Sequence, residues 1–125
     1  MPAEPAPAPA TPVSRLRVAV DGAVTVVQFA GKHPDGNSVR ELFELATSLT
    51  HRTGPRLLVD LTGLVLATSG LMGMLTTIHK RMLAAGGALA VAIPDPRLLE
   101  AFQVTRLDLL LKLAPDAAAA RAQLA

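Results

Sequence analysis

A chain of 125 residues, half of them apolar, is long enough for one hydrophobic core and too short for two ordinary domains. It contains no Cys, which excludes disulfides and thiolate metal sites and fits a reducing cytosol. Lys and Arg exceed Asp and Glu by only two (12 against 10), and Tyr and Trp are missing, so the clustered cations and stacking aromatics of a nucleic-acid binder are not there.

Residues 1–13 alternate Pro and Ala, and Pro blocks both helix and sheet ladders. They are expected to form a disordered, solvated tail, and without a basic start and an apolar stretch they do not read as a signal peptide. Residues 14–125 then make up the folded domain. Its most apolar stretch, 57–75, is interrupted by Asp60, Thr62, Gly63, Thr68, Ser69 and Gly70. A membrane span of about 20 residues would not tolerate those groups in its middle, so a soluble, cytoplasmic protein without membrane insertion is expected.

Residues 15–20 and 23–30 are Val-rich and separated by Asp21-Gly22, a strong hairpin signal. After a polar loop over 31–36, Ser38 and Glu41 stand in capping-box spacing. Val39, Leu42, Phe43, Ala46 and Leu49 follow at helical period, and Gly54-Pro55 ends the helix. The unbroken apolar run Leu57-Leu58-Val59 suits a strand covered on both faces.

A second helix is expected over about 69–85, with Leu71, Met74, Leu75, Ile78 and Met82 on one side. His79, Lys80 and Arg81 fall late in it, where cations complement the helix dipole, and Gly86-Gly87 closes it. Residues 88–93 read as another buried strand. Asp95-Pro96 opens a third helix holding Leu98, Leu99 and Phe102. Residues 107–113 read either as a short strand or as a helical turn, and Asp116 caps a final Ala-rich helix. Helices that follow strands in this order imply crossovers and a mixed α/β sheet with helices packed on it.

Chemistry concentrates in Leu64-Val65-Leu66-Ala67-Thr68-Ser69-Gly70-Leu71. Two hydroxyls stand between a buried strand and the start of an amphipathic helix, whose first N–H groups carry partial positive charge. A phosphate on Thr68 or Ser69 would be tolerated there by its own protein. The neighbouring residues 64–66, Leu71 and Met72 would offer a partner an apolar surface, within which about two negative charges are costly. The simpler reading of the same hydroxyls is a helix N-cap worth about 1 kcal/mol, and one hydroxyl can cap while its neighbour faces solvent.

The runs Arg56-Leu57-Leu58-Val59-Asp60-Leu61-Thr62-Gly63, Ala67-Thr68-Ser69-Gly70-Leu71-Met72-Gly73 and Ala84-Ala85-Gly86-Gly87-Ala88-Leu89 resemble the STAS family. These are the sulfate-transporter and anti-sigma-factor-antagonist domains. Residues 98–108 also resemble the family's last helices, and the likeness spans about residues 15–125. It implies a four- to five-stranded mixed sheet with helices packed on one side. In the family's bacterial antagonists, a serine/threonine kinase that is also the anti-sigma factor phosphorylates a hydroxyl in an Asp-Ser-Ser-Gly-like motif. The unphosphorylated antagonist binds that kinase and frees the sigma factor for transcription, and a phosphatase resets the signal.

Carried onto this sequence, the phosphoacceptor falls on Thr68, with Ser69 beside it. Leu66, Ala67, Gly70, Leu71 and Met72 become the partner-binding surface, and Asp35 is the nearest match to the family's acidic loop. The sequence departs from the motif at Ala67, where an acidic residue is expected. That departure favours an alternative, a STAS scaffold or assembly subunit that is never phosphorylated. An accessory subunit of a transporter is a third reading, and a homo-oligomer is left open.

Catalysis finds little support. A hydrolase would use Ser69 with His79 or His33 and Asp60, but Ala67 and Leu71 occupy the glycine positions of a nucleophile elbow. His79 lies about 15 Å further along the helix that Ser69 begins, at 1.5 Å per residue. Neither metal-ligand spacing nor a phosphate-binding loop occurs, so no enzyme, metal or cofactor is expected.

Overall fold

The computed structural model describes residues 16–124, and the tail expected over 1–13 lies outside them. The chain enters through β1 (Leu16–Asp21), turns at Gly22 with φ +65°, and returns antiparallel as β2 (Val24–Phe29). Only a residue free of Cβ crowding takes that φ easily, which is why Asp-Gly marks the turn.

From β2 onward every neighbour is parallel. β3 (Arg56–Asp60), β4 (Ala88–Ala92) and β5 (Lys112–Ala114) add in sequence order, giving one five-stranded mixed sheet. The segment 107–113 resolves into both of the forms its sequence allows, a 3₁₀ turn at Leu107–Leu109 and then β5. Parallel neighbours require crossovers, and three helices supply them: α1 (Gly36–Leu49), α2 (Ser69–Ala84) and α3 (Pro96–Val104).

Successive strand residues point to opposite faces, so Leu57 and Val59 face one layer while Leu58 faces the other. The first layer is the main core, where Leu42, Leu75, Ile78 and Phe102 of the crossover helices close over Val27, Leu57, Val59 and Val91. A smaller core lies behind the sheet. There Ala120 and Leu124, at the end of α4 (Ala117–Gln123), pack on Val24, Leu58, Ala90 and Ala92. The three crossover helices share one side, as the resemblance implies, but the arrangement is not purely one-sided. The apolar run of β3 needs cover on both faces, and α4 provides the second.

Two local expectations are corrected. The start of α1 is set by Asp35 and not by a Ser38–Glu41 box: Asp35 Oδ1 accepts the Ser38 N–H at 2.7 Å, and Ser38 itself is buried. His79 is no exposed dipole cation, because its side chain turns inward and only 7% of the residue is accessible. Arg81 takes the cationic role in the last turn of α2, with its guanidinium 4.8 Å from the Phe43 ring centroid. Among the described residues no helix is long and apolar enough to cross a membrane.

Candidate functional site

Because β2, β3 and β4 run parallel, the loops leaving them gather at one edge of the sheet, the usual place for sites in such folds. The β2–α1 and β3–α2 loops are tied together where the Val65 N–H donates to the Lys32 carbonyl at 2.9 Å. The β4–α3 loop joins them: Gly63, Leu64 and Val65 line an open depression of about 520 Å³ together with Pro94, Asp95 and Arg97.

The loop from β3 to α2 is built on Asp60, a carboxylate buried at the strand end. Its Oδ2 accepts from Gln28 Nε2 at 2.8 Å, and its Oδ1 accepts from the Thr62 N–H at 3.0 Å and the Thr62 hydroxyl at 2.6 Å. Satisfying this carboxylate fixes the chain's departure from the sheet. Gly63, with φ +93°, completes the turn, and Leu64 drops into the main core. With Leu64 anchored, Val65 and Leu66 are pushed outward, 43% and 49% exposed.

Thr68 then starts α2. Its backbone is extended and its Oγ1 accepts the Leu71 N–H at 3.1 Å, so the capping reading of this residue holds. The residue is half-buried, whereas Ser69 and Gly70 are exposed. No acidic residue stands in the first turn of α2, which leaves the positive end of a 16-residue helix without a carboxylate of its own.

The remaining residues expected in the site divide. Leu66 and Gly70 are exposed beside the hydroxyls, and Ala67 is half-buried against the main core. Met72 is half-buried one turn into α2, with its Sδ 3.9 Å from the Oγ1 of Thr105, the C-cap of α3. Asp35 is the α1 N-cap, on the loop that Lys32 ties to Val65. Leu71 is corrected: it is completely buried in the main core and cannot face a partner. Helical phase explains this, since Leu71 begins the stripe continued by Leu75, Ile78 and Met82.

The β4–α3 loop, expected only to open the third helix, also borders the site. There Arg97 Nη2 lies 3.1 Å from Asp95 Oδ2, and this side-chain hydrogen bond holds the Asp95 carboxyl below its ordinary value and the Arg97 guanidinium above its own. The signal available was the order of parallel strands, which sends successive loops to the same edge. Among the described residues no group of three His, Asp or Glu side chains could hold a metal ion.

No family model matches the sequence, and no curated protein is significantly similar to it. Solved structures are similar. A STAS domain protein from Planctomyces limnophilus, an anti-sigma-factor antagonist, is 24% identical, covers 78% of this chain and 87% of its own, and superposes with TM-score 0.67. The chain has the STAS fold. An anti-sigma factor antagonist from Mycobacterium paratuberculosis shares that fold at 19% identity, covering 87% of this chain and 92% of its own with TM-score 0.73. The Bacillus cell-fate determinant SpoIIAA in its phosphorylated form shares it at 16% identity, covering 79% of this chain and 90% of its own with TM-score 0.60. In this STAS fold the hydroxyl pair Thr68–Ser69 sits at the mouth of α2, on the loop edge of the sheet.

Proposed function

We propose that this STAS-fold chain is an anti-sigma-factor-antagonist-like binding module whose contact with a kinase-type anti-sigma factor is set by phosphate on Thr68 or Ser69. One observation carries the reading: a hydroxyl pair, Thr68 half-buried as the cap and Ser69 exposed, opens α2 directly beside the exposed apolar residues Val65 and Leu66. The helix N-terminus would hold a phosphate on either hydroxyl through its free N–H groups. The same phosphate places about two negative charges beside an apolar docking patch, which opposes burial against a partner. That one protein of this fold has been solved phosphorylated supports the chemistry. The chain's own part is binding and not catalysis, and a phosphatase would restore the contact.

The test is a pull-down of the cognate kinase with wild type, Thr68→Glu, Ser69→Glu and the matching Ala variants, joined to mass spectrometry after incubation with ATP. Capture by wild type and loss with either Glu variant is expected, with phosphate on one of the two hydroxyls. Absence of phosphate from both, with capture indifferent to all four variants, overturns the switch. That second result is what a constitutive scaffold would give, a reading favoured by Ala67 standing where the phosphorylated motif has an acidic residue.

A further inference from the structure

The two edges of the sheet differ. β5 is three residues long, contains Lys112 and runs into Pro115, features that discourage another strand from adding to it. β1 is six residues long with neither Pro nor Lys, and from Arg17 onward its residues are exposed, Val18 by 52% and Val20 by 68%. In an antiparallel ladder the peptide groups alternate between the two sides of a strand. The two-residue turn closes on the pair Asp21–Val24, so Asp21, Ala19 and Arg17 spend their peptide groups on β2, and those of Val18 and Val20 point to the open edge.

We infer that β1 is a self-pairing edge and that a second copy of this chain covers it, antiparallel, about a two-fold axis at Ala19. This register sets Val18 opposite the partner's Val20, and both carry outward peptide groups, so the backbones exchange hydrogen bonds. It also sets Arg17 opposite the partner's Asp21, twice by symmetry. Arg17, Ala19 and Asp21 lie on one face of the strand, so each cation meets a carboxylate and not a backbone. Arg17 has no ionic partner among the described residues.

Asp21 is held 3.0 Å from Arg121 Nη1, yet its side chain is 66% exposed and retains room for a second cation. Other registers that respect the alternation lose this match. One step away Arg17 faces Ala19 or passes beyond the paired strand, and two steps away Arg17 faces Arg17 or Asp21 faces Asp21. Such pairing is isologous and closes at two copies, joining the sheets edge to edge. It leaves the Thr68 loop of each copy free, since β1 lies at the far side of β2 from β3.

Sedimentation equilibrium of the full chain tests the pairing. Wild type is expected to show a monomer–dimer equilibrium, and Arg17→Asp to raise its dissociation constant by about tenfold, because two attractive cross-strand pairs become repulsive. Arg17→Asp leaves the Asp21–Arg121 pair in place, so its effect is not one of folding. Combining it with Asp21→Arg and Arg121→Asp exchanges the charges while keeping an opposite-charge pair at the Asp21–Arg121 contact, and is expected to restore the dimer, while Val20→Lys abolishes it through the apolar pair. A wild type that is monomeric at every concentration reached, or a dimer indifferent to Arg17→Asp and Val20→Lys, overturns the inference.

Discussion

Two buried polar side chains, Asp60 and His79, take opposite routes to stability. Asp60 has hydrogen-bond donors supplied by Gln28 on the neighbouring strand and by Thr62 in the turn, and so stays in the structure as a turn-former. His79 has a buried Nδ1 with no hydrogen-bond partner, and desolvation, reinforced by the charge of Lys112, pushes its pKa below 6.5. A lowered value in the folded state means that the unfolded chain binds the proton more readily. The neutral imidazole therefore contributes fully above pH 6.5, and stability is lost as pH falls from there towards the lowered value. His79→Leu removes this titration. Urea midpoints across that window should fall with pH more steeply for wild type than for the variant, and parallel profiles would refute the assignment.

Helix starts show most clearly what an element needs. Thr68→Ala removes the acceptor for the Leu71 N–H and should cost about 1 kcal/mol of unfolding free energy, while Thr68→Asp keeps an acceptor and should cost almost nothing. Urea denaturation separates the two, and equal losses would mean that Thr68 does not act as a cap. Such helix starts were legible in the sequence because Asp95-Pro96, Asp116 and Thr68-Ser69 each precede an apolar period, and each became the N-cap in place. The start of α1 was misread because two acceptors compete three residues apart. Asp35 wins by beginning the helix earlier, which sends Ser38 into the buried first turn. The short β5 could not be decided from its own residues, since three of them carry no period and their state is set by pairing with β4.

Across the molecule, the proposed docking surface lies apart from the two cores, and only part of that division could be read in advance. The unbroken apolar run Leu57-Leu58-Val59 announced two covered faces, and the hydroxyls of Thr68 and Ser69 announced a site at the mouth of α2. What escaped was neighbourhood: Leu71 adjoins Gly70 in the chain but turns into the core, while Asp95 and Arg97, far along the chain, border Val65. The division yields a paired prediction. Leu124, 2% exposed, joins Ala120 in closing the second face over Leu58 and Ala90, so Leu124→Ala should cost about 2–3 kcal/mol, at the lower end for a buried leucine because it lies at a helix end. Partner capture should be unchanged wherever that variant remains folded. Val65→Ser with Leu66→Ser removes side chains that are 43% and 49% exposed, so stability should fall by less than in Leu124→Ala while capture is lost. Thermal melts and pull-downs on the same two proteins decide it: if the serine pair unfolds the domain, or the Leu124 variant loses its partner while folded, the loop edge is not an independent docking surface.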